Sequence, residues 1–434
     1  MVCRPISIKA TNEHCSAAKD ATDEEKQRLS EKFAVHRRLV PLVAQSEDEL
    51  SLNAASAPPS NLIVHEAITR YSAEALYETY PYGSKWQRTR EEARRLVARC
   101  IGAEEPSTVA FTRDTTEGLG LFIRSFRFER GDNVVIVDTE HPNMVYGFLA
   151  LRDAAGLEVR QVPTVAEAER AGRVDAIDAD ALRPYVDGRT RAIGISSMSF
   201  DSGQRHDVAG ICAAFRPRGI HVLADLTQHV GFAPLDVRAM GISAGAFSLH
   251  KGLNCPTGLG ALYISPAAFA ELGDPTPPIV SMAAARNIRE DLLVRGDEPV
   301  DFFPDARRFE HANMSLVAVT AAEAFVRFYL EVLGPADVEA HLYGLTSALA
   351  RESERLGIPV VGPGQRDRRA PHICVLGVDP GEWGPYLKEI SGLKVTVNRL
   401  GVRVSFGFYS SMEDVRRFVQ VLERGISRGF SVRC

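Results

Sequence analysis

SLHKGLNCPTGLGALYIS, residues 248–265, carries the only lysine between Lys85 and Lys388. The stretch reads as the end of one β-strand, a loop rich in glycine and proline, and a second strand. Lys251 stands at the first junction. The other lysines are at positions 9, 19, 26, 32, 85, 388 and 394, and a general preference for arginine accounts for their scarcity but not for this exception. Arginine cannot form a Schiff base and stays protonated, whereas a lysine amine can lose its proton and act as nucleophile or base. A lysine at a strand end, before a loop that permits close backbone approach, is a candidate reactive group.

Working outward, seven short β-rich runs alternate with helical stretches: STVAFT, DNVVIVD, LEVRQVP, RAIGISS, IHVLAD, GAFSLH and GALYIS. The alternation predicts an α/β fold with a mainly parallel seven-stranded sheet covered by helices. In such sheets ligands gather at the loops that follow the strands. IHVLAD ends at Asp225, with Gln228 three residues on. TRDTTEGLGL joins a strand to a helix at Thr115 and Thr116, where backbone N–H groups and hydroxyls suit a phosphate. After GALYIS, HICVLGV, LKVTVN and GVRVSFGF read as strands and EDVRRFVQVLERGI as a closing helix, a small α/β domain. We expect a polar N-terminal extension over 1–35 with a peripheral helix, a large domain over 36–290 whose N-terminal segment contributes to the small domain, and the small domain over 291–434. Tyr80, Tyr82 and Trp86 form an aromatic cluster ahead of a helix that ends near Gly102; core packing and a substrate-facing role are both open for it.

Composition narrows the classes. At 434 residues, 45% hydrophobic and 25% charged, the chain resembles ordinary globular proteins and can bury a full core. A formal charge of −5 without basic runs disfavours nucleic acid. No apolar stretch has the length of a membrane span and the N-terminus lacks a secretory signal, so cytoplasmic residence is expected. Seven cysteines are scattered without metal-ligand spacing, so no metal is expected.

The motifs TRDTTEG, TEHPNMVYG, SFDSGQRHDV, ADLTQHVGFAPLDV, SLHKGLNCPTGLGALYI, RRFEHANMS and VRVSFGFYSSMEDV occur in that order. Together they resemble the class V aminotransferase family of fold-type I pyridoxal 5'-phosphate (PLP) enzymes, which includes cysteine desulfurases, selenocysteine lyases and isopenicillin N epimerases. The resemblance implies that Lys251 carries PLP as a Schiff base, that Asp225 pairs with the pyridine nitrogen, that Gln228 contacts the ring oxygen and that His141 stacks on the ring. It implies that Thr115, Thr116, Ser248 and His250 hold the phosphate, and that Arg403 grips a substrate α-carboxylate through a bidentate pair. It also implies a homodimer with shared active sites, in which Asn313 reaches the neighbour's cofactor phosphate.

Two departures qualify this. Phe200 stands where many relatives have a polar asparagine, implying a more apolar pocket that meets the substrate. ISGLKVTVNRLG lacks the nucleophilic cysteine of desulfurases, and Cys374 reads as a strand residue. The expected activity is therefore an aminotransferase or lyase acting on an α-amino acid through external aldimine and quinonoid intermediates. An epimerase or a Mannich-type cyclase of secondary metabolism is the alternative. A non-catalytic interaction protein on the same fold is the alternative of another class, and a nicotinamide enzyme is disfavoured because no GxGxxG follows an early strand. Asp114 is expected to turn from the phosphate site and cap the next helix. His206, His221, His229 and His311 are read as structural.

Overall fold

The protein is described here by a computed structural model that covers residues 23–46, 48–77, 85–164, 174–273, 280–288, 296–297 and 299–432. Tyr80 and Tyr82 lie outside these residues, as does 1–22 of the expected extension.

Strands β1 (Leu50–Ser51), β2 (Val109–Thr112), β3 (Asn133–Val137), β4 (Glu158–Val162), β5 (Thr190–Ser196), β6 (His221–Asp225), β7 (Ala244–Ser248) and β8 (Gly260–Ile264) precede the C-terminal part. All but β1 form one seven-stranded sheet in the order β2-β8-β7-β6-β5-β3-β4, where only β8 runs antiparallel to its neighbours. Successive side chains of a strand point to opposite faces, and apart from the edge strand β4 both faces are dry. Val135, Val137, Ile193 and Ile195 join one core, and Val134, Ile136 and Ala192 join another with Leu119, Phe122, Met144 and Phe148. Burial on both sides explains why these strands read as unbroken apolar runs. It also leaves the C-terminal edge of the sheet as the place where loops 112–116, 139–143, 196–200, 225–228 and 248–251 meet.

The polar N-terminal extension needs correction. Helix α1 (Asp23–Arg37) is mostly polar, yet Leu29 and Phe33, four residues apart on one face, are buried in the main core. Phe33 stacks on His341 at 4.1 Å and Arg37 forms an ion pair with the buried Asp414 at 2.6 Å. Helix α2 (Leu62–Ala75) and helix α3 (Lys85–Cys100) follow, and Trp86, at the start of α3, packs edge-on against Tyr71 at 4.6 Å in the interior.

Helix α4 (Thr115–Arg124) and helix α5 (Pro142–Ala155) pack together on one face of the large sheet. Helix α6 (Leu316–Phe328) packs on α2 and α3 and runs into a π turn over Tyr329–Leu333. Helix α7 (Pro335–Arg355) follows at once. A four-stranded antiparallel sheet combines β9 (Val360–Val361), β10 (Ile373–Leu376), β12 (Thr396–Asn398) and β13 (Gly401–Ser405). LKVTVN is split: β11 (Leu393–Lys394) leaves that sheet and pairs with β1, so the N-terminal segment runs into the C-terminal part. The closing helix α8 (Met412–Ser427) starts at a capping box of Ser411 and Asp414. Among the described residues no helix is long and apolar enough to cross a membrane.

Candidate active site

A cavity of about 220 Å³ opens at the C-terminal edge of the large sheet, and Lys251, Asp225, His141, Thr115, Thr116, Gln228, Ser248, His250 and Phe200 all line it. Asp225 ends β6 and Lys251 lies just past β7, so two adjacent parallel strands deliver the carboxylate and the amine. The turn that carries Lys251 depends on glycine. A Cβ on Gly252 would sit 2.3 Å from the Val230 carbonyl oxygen, and one on Gly231, at φ +84°, 2.3 Å from the Gly252 carbonyl carbon. The 225–232 and 251–255 segments therefore touch backbone to backbone.

Desolvation lowers the pKa of the recessed Lys251 amine; Asp225 opposes this and Arg403 adds to it. Burial likewise lowers His141, with Lys251 lowering it further and Asp225 opposing. His250 is lowered by burial and Lys251 against the pull of Asp114. Asp225 is held in place by the Thr227 amide, which donates to it at 2.9 Å. His141 is the N-cap of α5, its Nδ1 accepting from the Asn143 amide at 3.2 Å, and its ring meets Phe200 edge-on at 5.0 Å.

The start of α4 brings a group of hydroxyls to the cavity. The Thr115 amide donates to Ser248 Oγ at 3.0 Å, and the Thr115 hydroxyl lies 2.7 Å from Ser248 Oγ and 2.8 Å from Thr227 Oγ1. Asn143 donates to the Thr116 hydroxyl at 2.6 Å. Asp114 caps the helix as expected, accepting from the Glu117 amide at 2.8 Å, but it also lines the cavity and does not turn away from it.

Arg403 and Asn313 are placed differently from the other nominated residues. Arg403 is buried behind the cavity wall, donating to the Phe200 carbonyl, to Asn53 Oδ1 at 3.2 Å and to Thr396 Oγ1 at 3.0 Å. Its Nε is buried without a partner, and among the described residues it forms no ion pair. Both Nη2 hydrogens are engaged, so a two-pronged grip on a carboxylate requires Arg403 to release Asn53 or Thr396. Asn313 does not enter this cavity; it lines a second one of about 700 Å³ beside Arg94 and Glu310.

Sequence reasoning missed several residues. Glu140 is buried beside the cavity, accepting from the Ser196 amide at 2.7 Å and hydroxyl at 2.6 Å. Burial drives its pKa up to about 8, Ser196 opposes, and Asp225 and Asp201 add to the rise. Its only sequence signal was a charge next to His141. Thr227 and Asn143 sit within the quoted motifs, whereas His372, bonded to Gln228, had no local signal. Of the histidines read as structural, His221 pairs with Glu271, His229 lies between Ser197 and the Pro234 carbonyl, and His311 meets Glu117, whereas His206 accepts from the Ile177 amide through Nδ1 with its Nε2 buried and unpartnered.

A family model described as aminotransferase class-V matches residues 51–418. An uncharacterized protein of Schizosaccharomyces pombe is 43% identical, over 91% of this chain and 88% of its own length. An uncharacterized aminotransferase of the same yeast is 41% identical, over 90% and 95%. Among solved structures, a C-DES mutant with glycine covalently linked to the PLP cofactor superposes with a TM-score of 0.77 at 19% identity, covering 89% of this chain and 98% of that one.

Proposed function

The chain belongs to the class-V aminotransferase family of PLP-dependent enzymes, and from that premise we propose that it transforms an α-amino acid as an aminotransferase or lyase without a catalytic cysteine. The observation that carries this is the Lys251 amine and the Asp225 carboxylate opening into one cavity from adjacent strands. The donor set fits PLP. An amine is available for the aldehyde, a carboxylate for the ring nitrogen, the hydroxyl-lined start of α4 for the phosphate, and the Gln228 amide for the ring oxygen.

When bound, PLP supplies an electron sink that weakens the bonds at the carbon bearing the substrate amine. The protein does the rest. Asp225 keeps a proton at the ring nitrogen. Lys251 Nζ, with its proton affinity lowered, takes or returns the proton at the substrate carbon. His141 and Phe200 wall the cavity, and Arg403 receives the carboxylate once it exchanges a protein acceptor for it. The described cysteines, Cys100, Cys212, Cys255 and Cys374, are all buried, which supports chemistry that does not use a thiol nucleophile. Family membership also supports a homodimer, with Asn313 directed to the partner's site.

The test is the visible absorption of purified protein with PLP, alone and titrated with amino acids. A yellow band that responds to particular amino acids and is lost in Lys251→Ala is expected, and dependence of turnover on an added keto acid separates aminotransferase from lyase. Undiminished turnover in Lys251→Ala, or a colourless protein that only dimerises, would overturn the proposal.

A further inference from the structure

We propose that His372 is a positioning residue that, together with the Ala55 carbonyl, anchors the Gln228 amide so that its free hydrogen faces the cofactor's ring oxygen. The inference rests on the reading that Gln228 meets that oxygen.

Gln228 is clamped from two sides. Its Nε2 donates to the Ala55 carbonyl at 2.8 Å, and its Oε1 lies 3.0 Å from His372 Nε2. A backbone carbonyl can only accept, so the NH₂ end must face Ala55 and Oε1 must face His372. His372 therefore carries its proton on Nε2 and donates. The amide's second hydrogen has no partner among the described residues, and it is the group Gln228 has left for the cavity it lines. Without the histidine donor Oε1 loses its partner and the Ala55 carbonyl alone holds the amide, so the second hydrogen is aimed less firmly at a ring oxygen that carries negative charge.

His372 is built for this task rather than for packing alone. Its ring stacks on Phe232 at 3.6 Å and 4°, a contact that phenylalanine would make equally well, yet its Nδ1 is buried with no partner. Its backbone carbonyl accepts from the Phe406 amide at 2.9 Å, which ties it to the end of β13. The charged and titratable groups acting on it are Arg403, Lys251 and His229; burial first, then these three, hold its pKa well below the ordinary histidine range. It stays neutral, with one fixed tautomer, across the physiological range.

The experiment is a pH titration of the visible band of the PLP-loaded enzyme in wild type, His372→Phe, His372→Gln, Gln228→Ala and the Phe/Ala double variant. A donor to the ring oxygen stabilises its negative charge, so losing that donor makes the bound cofactor hold its proton more tightly. The expected result is a midpoint about one pH unit higher in His372→Phe, a tenfold change, with recovery in His372→Gln. The double variant is expected to match Gln228→Ala, because His372 acts through Gln228. A His372→Phe midpoint equal to wild type while Gln228→Ala shifts overturns the role of His372 alone. No shift in Gln228→Ala overturns the ring-oxygen contact itself, and the inference with it. Should His372→Phe fail to fold, ¹⁵N-histidine NMR of the wild-type protein decides: a proton on Nε2 that persists from pH 5 to 8 supports the inference, and an Nδ1–H tautomer overturns it.

Discussion

Replacing Arg403 with methionine separates what the residue costs the fold from what it gives the reaction. Burial pulls the guanidinium pKa down to about 10, with Asp201 pulling the other way, a displacement that costs the folded chain about 3 kcal/mol. The sign follows from linkage. A base whose folded pKa is depressed destabilises at every pH below that value, and the loss is recovered only as pH rises from about 10 toward the unfolded value. Methionine keeps the apolar stem and removes this penalty. It also removes the three hydrogen bonds to Phe200, Asn53 and Thr396, about 1.5–3 kcal/mol each for a charged donor. The loss is the larger of the two, so the variant should fold with stability lower than wild type by roughly 2–5 kcal/mol. Substrate binding has no such compensation, because truncating one partner of a buried charge pair costs about 2–5 kcal/mol. The expected loss is about 10²- to 10³-fold in kcat/KM for whichever amino acid shifts the visible band. The assay pairs that amino acid with the amine lacking its carboxylate, which Arg403→Met should handle as wild type does. If both compounds suffer alike, or the amino acid keeps its efficiency within threefold, the assignment of Arg403 to the carboxylate is wrong.

Other consequences are as direct. Glu140, with a folded pKa near 8, binds its proton more tightly when folded, so stability declines as pH rises from the unfolded value near 4.5 to about 8. Glu140→Gln should therefore be more stable than wild type by about 3 kcal/mol at pH 7 and little different at pH 4, and parallel melting curves at the two pH values would refute this. Arg94, 1% exposed, is paired with Glu310, which also accepts from the Phe111 amide. Glu310→Ala leaves the buried Arg94 with only the half-exposed Glu91 and the Val109 carbonyl as partners and should lower unfolding stability by about 3 kcal/mol, measured by urea denaturation; a change under about 1 kcal/mol would show that Glu91 alone compensates the charge. Burial pushes the thiols of Cys100, Cys212 and Cys374 up to about 12, and raises Cys255 too. None of the four should react with an alkylating reagent in native protein at pH 8, and rapid modification of any of them by mass spectrometry would reopen thiol chemistry.

The half of the site on the large sheet was legible because each piece is local. A parallel strand buried on both faces reads as an apolar run, and the residue just past it falls on the C-terminal edge, so Asp225, Ser248 and Lys251 could be placed from spacing alone. The misreading of the first helix had a signal in hand: Leu29 and Phe33 keep a four-residue spacing within polar sequence, but net polarity outweighed it. Arg403 was named only through resemblance, and its surroundings were beyond reach because Asn53 lies 350 positions away. His372 in HICVLGV has a strand's neighbours, and nothing in that run marks the residue that bonds Gln228.

What could not be read locally shares one physical origin. A parallel sheet presents loops at a single edge, so groups approaching the cavity from the opposite side must come from another layer. Here that layer is β13, whose alternate residues Arg403 and Ser405 point to the same side. Arg403 donates to Asn53, and Ser405 Oγ accepts from the Ala55 amide at 2.9 Å. The Ala55 carbonyl then accepts from Gln228, whose other end meets His372, itself tied to Phe406 just past β13. One three-residue segment, Asn53–Ala55, thus supports both the proposed carboxylate contact and the proposed ring-oxygen contact. The parallel pairing of β1 with β11 and the bridge between Asn53 and Ser405 set the register of that segment. Placing the N-terminal residues against the C-terminal sheet is therefore part of assembling the site: the large sheet alone can seat an amine, a carboxylate and a phosphate cradle, but not Arg403 or the clamp on Gln228.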